Sequence, residues 1–332
     1  DKTLQYLYYV SWGLFPAAGY IVIRNLFEGI GNTKASMWIS FVGILVNIPA
    51  NYIFIYGKLG MPALGGAGCG IATSLVFLAM FIAMLVYGWY SRTTRPYRHW
   101  PKQLSANLKD IWYVVCLGTP IAFSIFFEVT LFACIPLAIV HLGPIVVAGH
   151  QVANNYSALV FMLPLSFGLA TTIRVGHLVG QQNNKELKKA IMTALCMAVF
   201  MSFFIASFTY FMRTYVASLY STNPEVIAMA SSLLILACFY QLSDAIQVVS
   251  ACALRGMKIT KPVFYITLFA YWPIGFGLGA VLGLTDWLVA PMGAHGFWIG
   301  IIIGLSTAAI MLAIILRNQL KRIDHEIRHA GI

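Results

Sequence analysis

The chain has 332 residues, of which 60% are hydrophobic and 9% charged, with a net charge of +11. A soluble domain would carry about 25% charged residues, so the composition excludes one and points to an all-α, polytopic membrane protein. The basic excess is not a nucleic-acid signal, because no basic segment is long enough to track a phosphate backbone.

Nine membrane helices are expected, at approximately 4–31, 35–57, 67–91, 109–140, 145–180, 186–220, 224–256, 261–284 and 294–317. Several exceed the roughly 20 residues needed to span a bilayer, so tilt or extension beyond it is expected. Near the end of the first helix, Arg24 and Glu28 are spaced for an i,i+4 salt bridge. In the second, Asn47 and Asn51 bracket Pro49 one turn apart. Pro49 has no amide hydrogen and leaves the Leu45 carbonyl without its helical partner. This pattern fits either an ion-coordinating break or a kink with amides joining helices. The segment 91–110, SRTTRPYRHWPKQLSANLKD, is the one long polar stretch.

The fourth helix carries Glu128 inside IAFSIFFEVTLFACIPLAIV, beside Phe123, Phe126 and Phe127. In the fifth, His150 and Asn154 share a face and read as interhelix contacts, while Arg174 and His177 near its end read as headgroup or interhelix contacts. The seventh carries Asp244 in SSLLILACFYQLSDAIQVVSACAL. A carboxylate at bilayer depth costs about 2.5–3.5 kcal/mol on insertion scales unless it has a partner, a proton or a cation. Neither segment offers a Lys or Arg within a helical turn. Tyr240, Asp244 and Gln247 lie on one face, and a phenol, a carboxylate and an amide oxygen suit a hard cation such as Na⁺. If the Glu128 and Asp244 helices pack together, two like charges share one low-dielectric pocket and call for a proton or a cation between them. Pro16, Pro120, Pro136, Pro164 and Pro273 lie within helices, where each can kink one.

The six cysteines form no CxxC and read as small apolar core residues. No Walker, GxSxG, HExxH or dinucleotide motif is present, so no enzyme activity, cofactor or ATP-driven step is expected. Sixteen Lys and Arg fall on one set of loops and three on the other, which predicts a cytoplasmic C-terminus. The sequence also repeats. LFEGIGNTKASMW (26–38) aligns with ALRGMKITKPVFY (253–265) at an offset of 227, and, after a three-residue slip, Gly66 and Gly70 align with Gly296 and Gly300. The first three helices thus correspond to the last three, and the middle three have no counterpart. A 6+6 protein lacking three upstream helices is the economical reading, and six-helix repeats are a transporter signature.

With the repeat in place, AGHQVANNYSALVFMLPLSFGLATTIRVGHLVGQ (148–181), LVNIPANYIFIYGKLGMPALGGAGCGIAT (45–73) and FYQLSDAIQVVSACALRGMK (239–258) resemble the MATE family of multidrug and toxic compound extrusion antiporters, in its NorM branch. The resemblance implies the last three N-lobe helices at 1–91, a cytoplasmic inter-lobe linker at 92–108, a six-helix C-lobe at 109–317 and a cytoplasmic tail at 318–332. It implies a C-lobe cation and substrate site at Glu128, Tyr240 and Asp244. It also implies an incomplete N-lobe cation site at Asn47, Asn51 and Thr73, whose acid would lie in the absent segment. The expected function is secondary antiport of cationic amphipathic drugs or dyes against Na⁺ or H⁺, by a monomer embedded among the lipids of the bacterial inner membrane. A flippase of lipid-linked precursors is the alternative within the same architecture, and it would call for Arg or Lys in the cavity. A non-transporting membrane scaffold would have no need of two unpaired buried carboxylates.

Overall fold

A computed structural model describes residues 2–58, 60, 62–91 and 107–329. The chain divides into two compact units, residues 1–105 and 106–332. Most of the expected linker, residues 92–106, lies outside the described residues. Among the described residues every regular element is helical. Eight helices are long and apolar enough to cross a membrane, and nine if one bent pair counts as a single span.

The first unit holds α1 (Lys2–Trp12), α2 (Leu14–Gly29), α3 (Thr33–Tyr56) and α4 (Gly66–Tyr90). The single helix expected at 4–31 is therefore two, bent by 44° at Gly13. Pro16 supplies the reason: it has no N–H to offer the Trp12 carbonyl, and its ring crowds that carbonyl. Gly13 fits the bend because a Cβ there would sit 2.8 Å from Ser74 Oγ of α4. Ser74 in turn donates to the Tyr9 carbonyl at 2.7 Å, tying α4 to α1. The expected helix-end pair forms, with Arg24 Nε 2.6 Å from Glu28 Oε1.

The second unit contains α5 (Leu108–Ile139), α6 (Pro144–Gly180), α7 (Asn184–Tyr220), α8 (Pro224–Gly256), α9 (Lys261–Phe269), α10 (Leu278–Leu284) and α11 (Ala294–His329). Helix α8 is the centre of this unit. It packs on α6, α7 and α11, while α5 packs on α9. Its start is fixed by Asn223, whose side chain accepts from the Glu225 N–H, and by Pro224 in the first turn. Polar contacts then tie it to its neighbours: Thr172 of α6 donates to the Cys252 carbonyl at 2.9 Å, and Ser243 pairs with Ser306 of α11 at 2.8 Å. Side-chain hydrogen bonds of this kind hold helices together where apolar burial gives little preference between protein and lipid.

The helix expected at 261–284 is not uniform. Between α9 and α10, residues Ala270–Gly277 wind as a π-helix around Pro273. Proline leaves the Phe269 carbonyl without its helical donor, and the widened turn absorbs the defect. The last helix also outruns its expected end at 317 and continues to His329.

The internal repeat is visible in the backbone. In the turn after α2, Ile30, Gly31 and Asn32 donate their N–H groups to Leu26, Glu28 and Phe27. In the turn after α8, Met257, Lys258 and Ile259 donate to Ala253, Arg255 and Leu254, each pair displaced by 227. Gly31 (φ 83°) and Lys258 (φ 62°) occupy the same left-handed position. The turns at the opposite helix ends correct the sequence alignment. Leu64 and Gly65 donate to Phe54 and Ile55, as Met292 and Gly293 donate to Leu282 and Gly283. Gly68 abuts the Phe54–Ile55 peptide as Gly296 abuts the Leu282–Gly283 peptide. Gly296 therefore corresponds to Gly68 rather than Gly66, and the slip is one residue rather than three. Close backbone approach, not the count of glycines, sets the register.

Candidate functional site

The second unit brings its two membrane-depth carboxylates together. Glu128, half-buried on α5, and Asp244, buried on α8, lie within electrostatic range of each other. Tyr271, in the π-helical stretch, is fully buried within range of both. Tyr240, one turn before Asp244 on α8, is buried and interacts with the Asp244 carboxylate. Neither carboxylate has a Lys or Arg within a helical turn of its own helix, but one basic group approaches through the fold. Arg255, three turns along α8 from Asp244, comes within electrostatic range of Glu128. Its side chain is half-buried, and its Nε has no hydrogen-bond partner. An arginine near a helix end can reach this far because its stem lies along apolar surface.

The α5 segment that carries Glu128 also carries an aromatic cluster. Phe123 and Phe127 are 6.2 Å apart between ring centroids, and Phe264 of α9 lies 6.2 and 6.0 Å from them. Phe126, 5.8 Å from Phe127, is more than half exposed. Aromatic faces of this kind suit a lipophilic cation through ring contact.

Asp244 has different surroundings on its α6 and α7 side. There a cavity of about 10 Å³ is lined by Ser157, Ser202, Tyr240, Gln241 and Asp244, with Pro164 and Ile205 among its apolar walls. Gln241 and Ser157 were not recognised in the sequence as candidates, although Gln241 precedes Asp244 by three residues and so shares its face. Gln247, which was recognised, is buried with its Oε1 unpartnered. Behind Tyr240 stands Trp298 of α11, its ring 5.8 Å away. Trp298 Nε1 donates to Nδ1 of the fully buried His150 at 3.1 Å. Among the described residues, no three His, Cys, Asp or Glu side chains come together in a metal-holding group.

In the first unit, Asn51 Nδ2 donates to the Asn47 carbonyl at 3.0 Å and to Asn47 Oδ1 at 3.1 Å, across the Pro49 turn. Asn51 Oδ1 is buried without a partner. Thr73 Oγ1 donates to the Cys69 carbonyl at 2.9 Å. Gly43 abuts Met80, and Gly68 abuts the peptide of Phe54, so α3 and α4 run antiparallel in a register that sets Thr73 level with the Asn47–Asn51 turn. The three residues therefore occupy one level of this helix pair.

Comparison with known proteins places these features in a family. The MatE family model matches residues 1–53 and 120–281. The multidrug resistance protein NorM of Photobacterium profundum is 47% identical over 326 residues, covering 96% of this chain and 70% of the relative. The crystal structure of the eukaryotic MATE transporter AtDTX14 superposes with a TM-score of 0.85 at 21% identity, over 97% of this chain and 71% of that one. An outward-facing multidrug resistance MATE family transporter of the MOP superfamily superposes with a TM-score of 0.81 at 19% identity, over 92% and 66% of the two chains. The two solved structures are named as transporters and the Photobacterium relative as a multidrug resistance protein. A helical membrane chain with the two-lobe fold, close sequence kinship and the family model over most of its length belongs to the MATE family.

Proposed function

We propose that the chain belongs to a NorM-type multidrug antiporter of the bacterial inner membrane, with its C-terminus in the cytoplasm. It exports cationic amphipathic compounds in exchange for Na⁺, by alternating access of two lobes. The observation that carries this reading is the pairing of Glu128 with Asp244, from different helices, beside Tyr240 and Tyr271. Two carboxylates in one low-dielectric site hold a cation between them or take up a proton. A drug cation at one carboxylate and a coupling cation at the other therefore disfavour each other, and that competition is the basis of exchange.

Glu128, on the helix that also carries Phe123, Phe126 and Phe127, serves the drug. Asp244 and Tyr240 supply hard oxygen donors and serve the coupling ion. Na⁺ is favoured over H⁺ because hydroxyl and amide oxygens accompany the carboxylate, whereas proton exchange needs the acids alone. Asn47, Asn51 and Thr73 contribute oxygen donors to a second, incomplete cation site. The flippase alternative called for cations in the cavity; the cavity beside Asp244 is lined by none, and Arg255 is the basic group within range of Glu128.

The test is efflux of tetraphenylphosphonium from proteoliposomes at fixed pH, with and without an inward Na⁺ gradient. Glu128→Gln and Asp244→Asn are each expected to reduce Na⁺-driven efflux at least tenfold without loss of membrane insertion. Full efflux by both variants overturns the assignment, and efflux driven equally well by a pH gradient alone overturns Na⁺ coupling.

A further inference from the structure

Helices α6 and α7 run antiparallel and are joined by a short turn at 181–183. Near that turn they leave an open groove of about 480 Å³, a volume in the range of small-ligand sites. Its wall carries two cations, Arg174 from α6 and Lys189 from α7. Arg174 precedes the end of α6 at Gly180, and Lys189 follows the start of α7 at Asn184, by similar distances along the two helices. At about 1.5 Å per residue both sit roughly 8–9 Å from the turn, at one level of the groove. Farther from the turn the wall is apolar, with Phe167 on α6 and Ala194 and Met197 on α7. Phe167 lies about 10 Å beyond Arg174 along its helix, and Met197 about 12 Å beyond Lys189. The side of α6 that faces α8 is a different one, marked by Gly168 and Thr172 against Cys252. Ala170, Arg174, Thr193 and Met197 are exposed, so the groove opens outward, onto the surface a membrane would cover.

The charge of the rim is not cancelled from within. Lys189 pairs with Glu186 at 2.9 Å in an exposed contact. Arg174 lies within electrostatic range of that same carboxylate, as does Lys185, and Arg174 donates no hydrogen bond among the described residues. One acid therefore faces three cations. The combination of a positive rim and an apolar wall selects the occupant. A free anion would use the rim and leave the wall to water. A lipophilic cation would suit the wall and be repelled by the rim. A zwitterionic lipid would bring a cation of its own to the rim. A phospholipid of net negative charge matches both parts: its phosphate accepts from arginine and lysine, and its acyl chain covers the apolar wall. Basic pockets between membrane helices on the side of the basic loops recognise such headgroups.

We infer that the groove between α6 and α7 is a binding site for an anionic phospholipid of the leaflet that meets the basic loops. Arg174 and Lys189 hold its phosphate, and Phe167, Ala194 and Met197 hold an acyl chain. Neither Glu128 nor Asp244 lines the groove, and the inference does not rest on the antiport reading. A lipid seated there bridges α6 and α7 and so stabilises the folded chain.

The experiment is thermal unfolding of the purified chain in detergent micelles carrying increasing mole fractions of dioleoylphosphatidylglycerol, since a ligand that binds the folded state raises Tm according to its affinity. Dioleoylphosphatidylcholine and soluble glycerol 3-phosphate are the comparison ligands. Wild type is expected to show a saturable rise in Tm with the anionic lipid that neither comparison ligand reproduces. Arg174→Gln and Lys189→Gln are each expected to need about fivefold more lipid for the same rise, the factor for one cation near an anionic lipid surface. Ala194→Phe, which fills the groove and keeps its charge, is expected to lose most of the rise. Lys109→Gln removes an exposed cation from α5 and is expected to respond like wild type. Cooperative melting without lipid identifies folded variants, and should Arg174→Gln or Ala194→Phe not melt cooperatively, Lys189→Gln at its exposed position decides. An equal rise with phosphatidylcholine overturns the anionic selectivity. A rise with glycerol 3-phosphate that the charge variants weaken and Ala194→Phe keeps makes the rim a site for a free anion and overturns the lipid. A wild-type response in both charge variants, or an equal loss in Lys109→Gln, overturns the site.

Discussion

His150 is fully buried and receives the Trp298 indole N–H on Nδ1, which places the proton of the neutral ring on Nε2. The pair stands behind Tyr240 and fixes the wall against which the site is built. Trp298→Phe keeps an aromatic ring but removes the donor, leaving Nδ1 buried and unpaired. It should lower stability by about 1–3 kcal/mol, read as a fall in the unfolding midpoint of the purified protein. At this scale the sequence was partly legible. Glu128 and Asp244 stand out because charge is conspicuous in an apolar helix. Gln241 and Ser157 do not, because neutral polar residues are common in membrane helices as interhelix contacts. Arg255 was assigned to topology alone, since eleven positions along a helix hide an approach made through a neighbouring helix.

At the scale of the helix, hydrophobic length fixes existence and glycine fixes contact. The helix expected at 224–256 matches α8 to the residue, because Asn223, Pro224 and the Arg255–Gly256 end mark it chemically. The bend at Gly13 and the π-helical stretch at 270–277 were not legible in kind. A proline announces that a hydrogen bond is missing, and packing decides whether the chain bends or widens. Here packing is by backbone: a Cβ on Gly300 would fall within 2.6 Å of Gly279 Cα, and one on Gly304 within 2.7 Å of the Ala270 carbonyl oxygen. Gly300→Val therefore has to push α11 off the widened turn that carries Tyr271. Its expected cost is about 1–3 kcal/mol or more. It should appear as reduced folded yield by fluorescence-detected size-exclusion chromatography, whereas Gly118→Val, at a position with open space around it, should leave yield near wild type.

For the whole molecule, the excess of basic residues on one set of loops predicts orientation. A fluorescent protein fused after residue 329 should fluoresce in the cytoplasm, and alkaline phosphatase at the same position should be inactive. The reverse pattern would invert every inside and outside assignment made above. Helix α11 adds a mechanical consequence. Its 36 residues make a rod about 54 Å long, well beyond a hydrocarbon core of about 30 Å. The segment expected to be a tail is thus a continuation of the helix, held to its unit by Leu320, which is buried in the core, and by Ile323 packed against it. A tilt of only about 10° about its Ala294 end would sweep its C-terminal tip through roughly 9 Å over that length. Small repacking around Asp244 would thereby be magnified toward the C-terminal end of α11, where Arg322 is exposed and a spectroscopic label can follow it without touching the site.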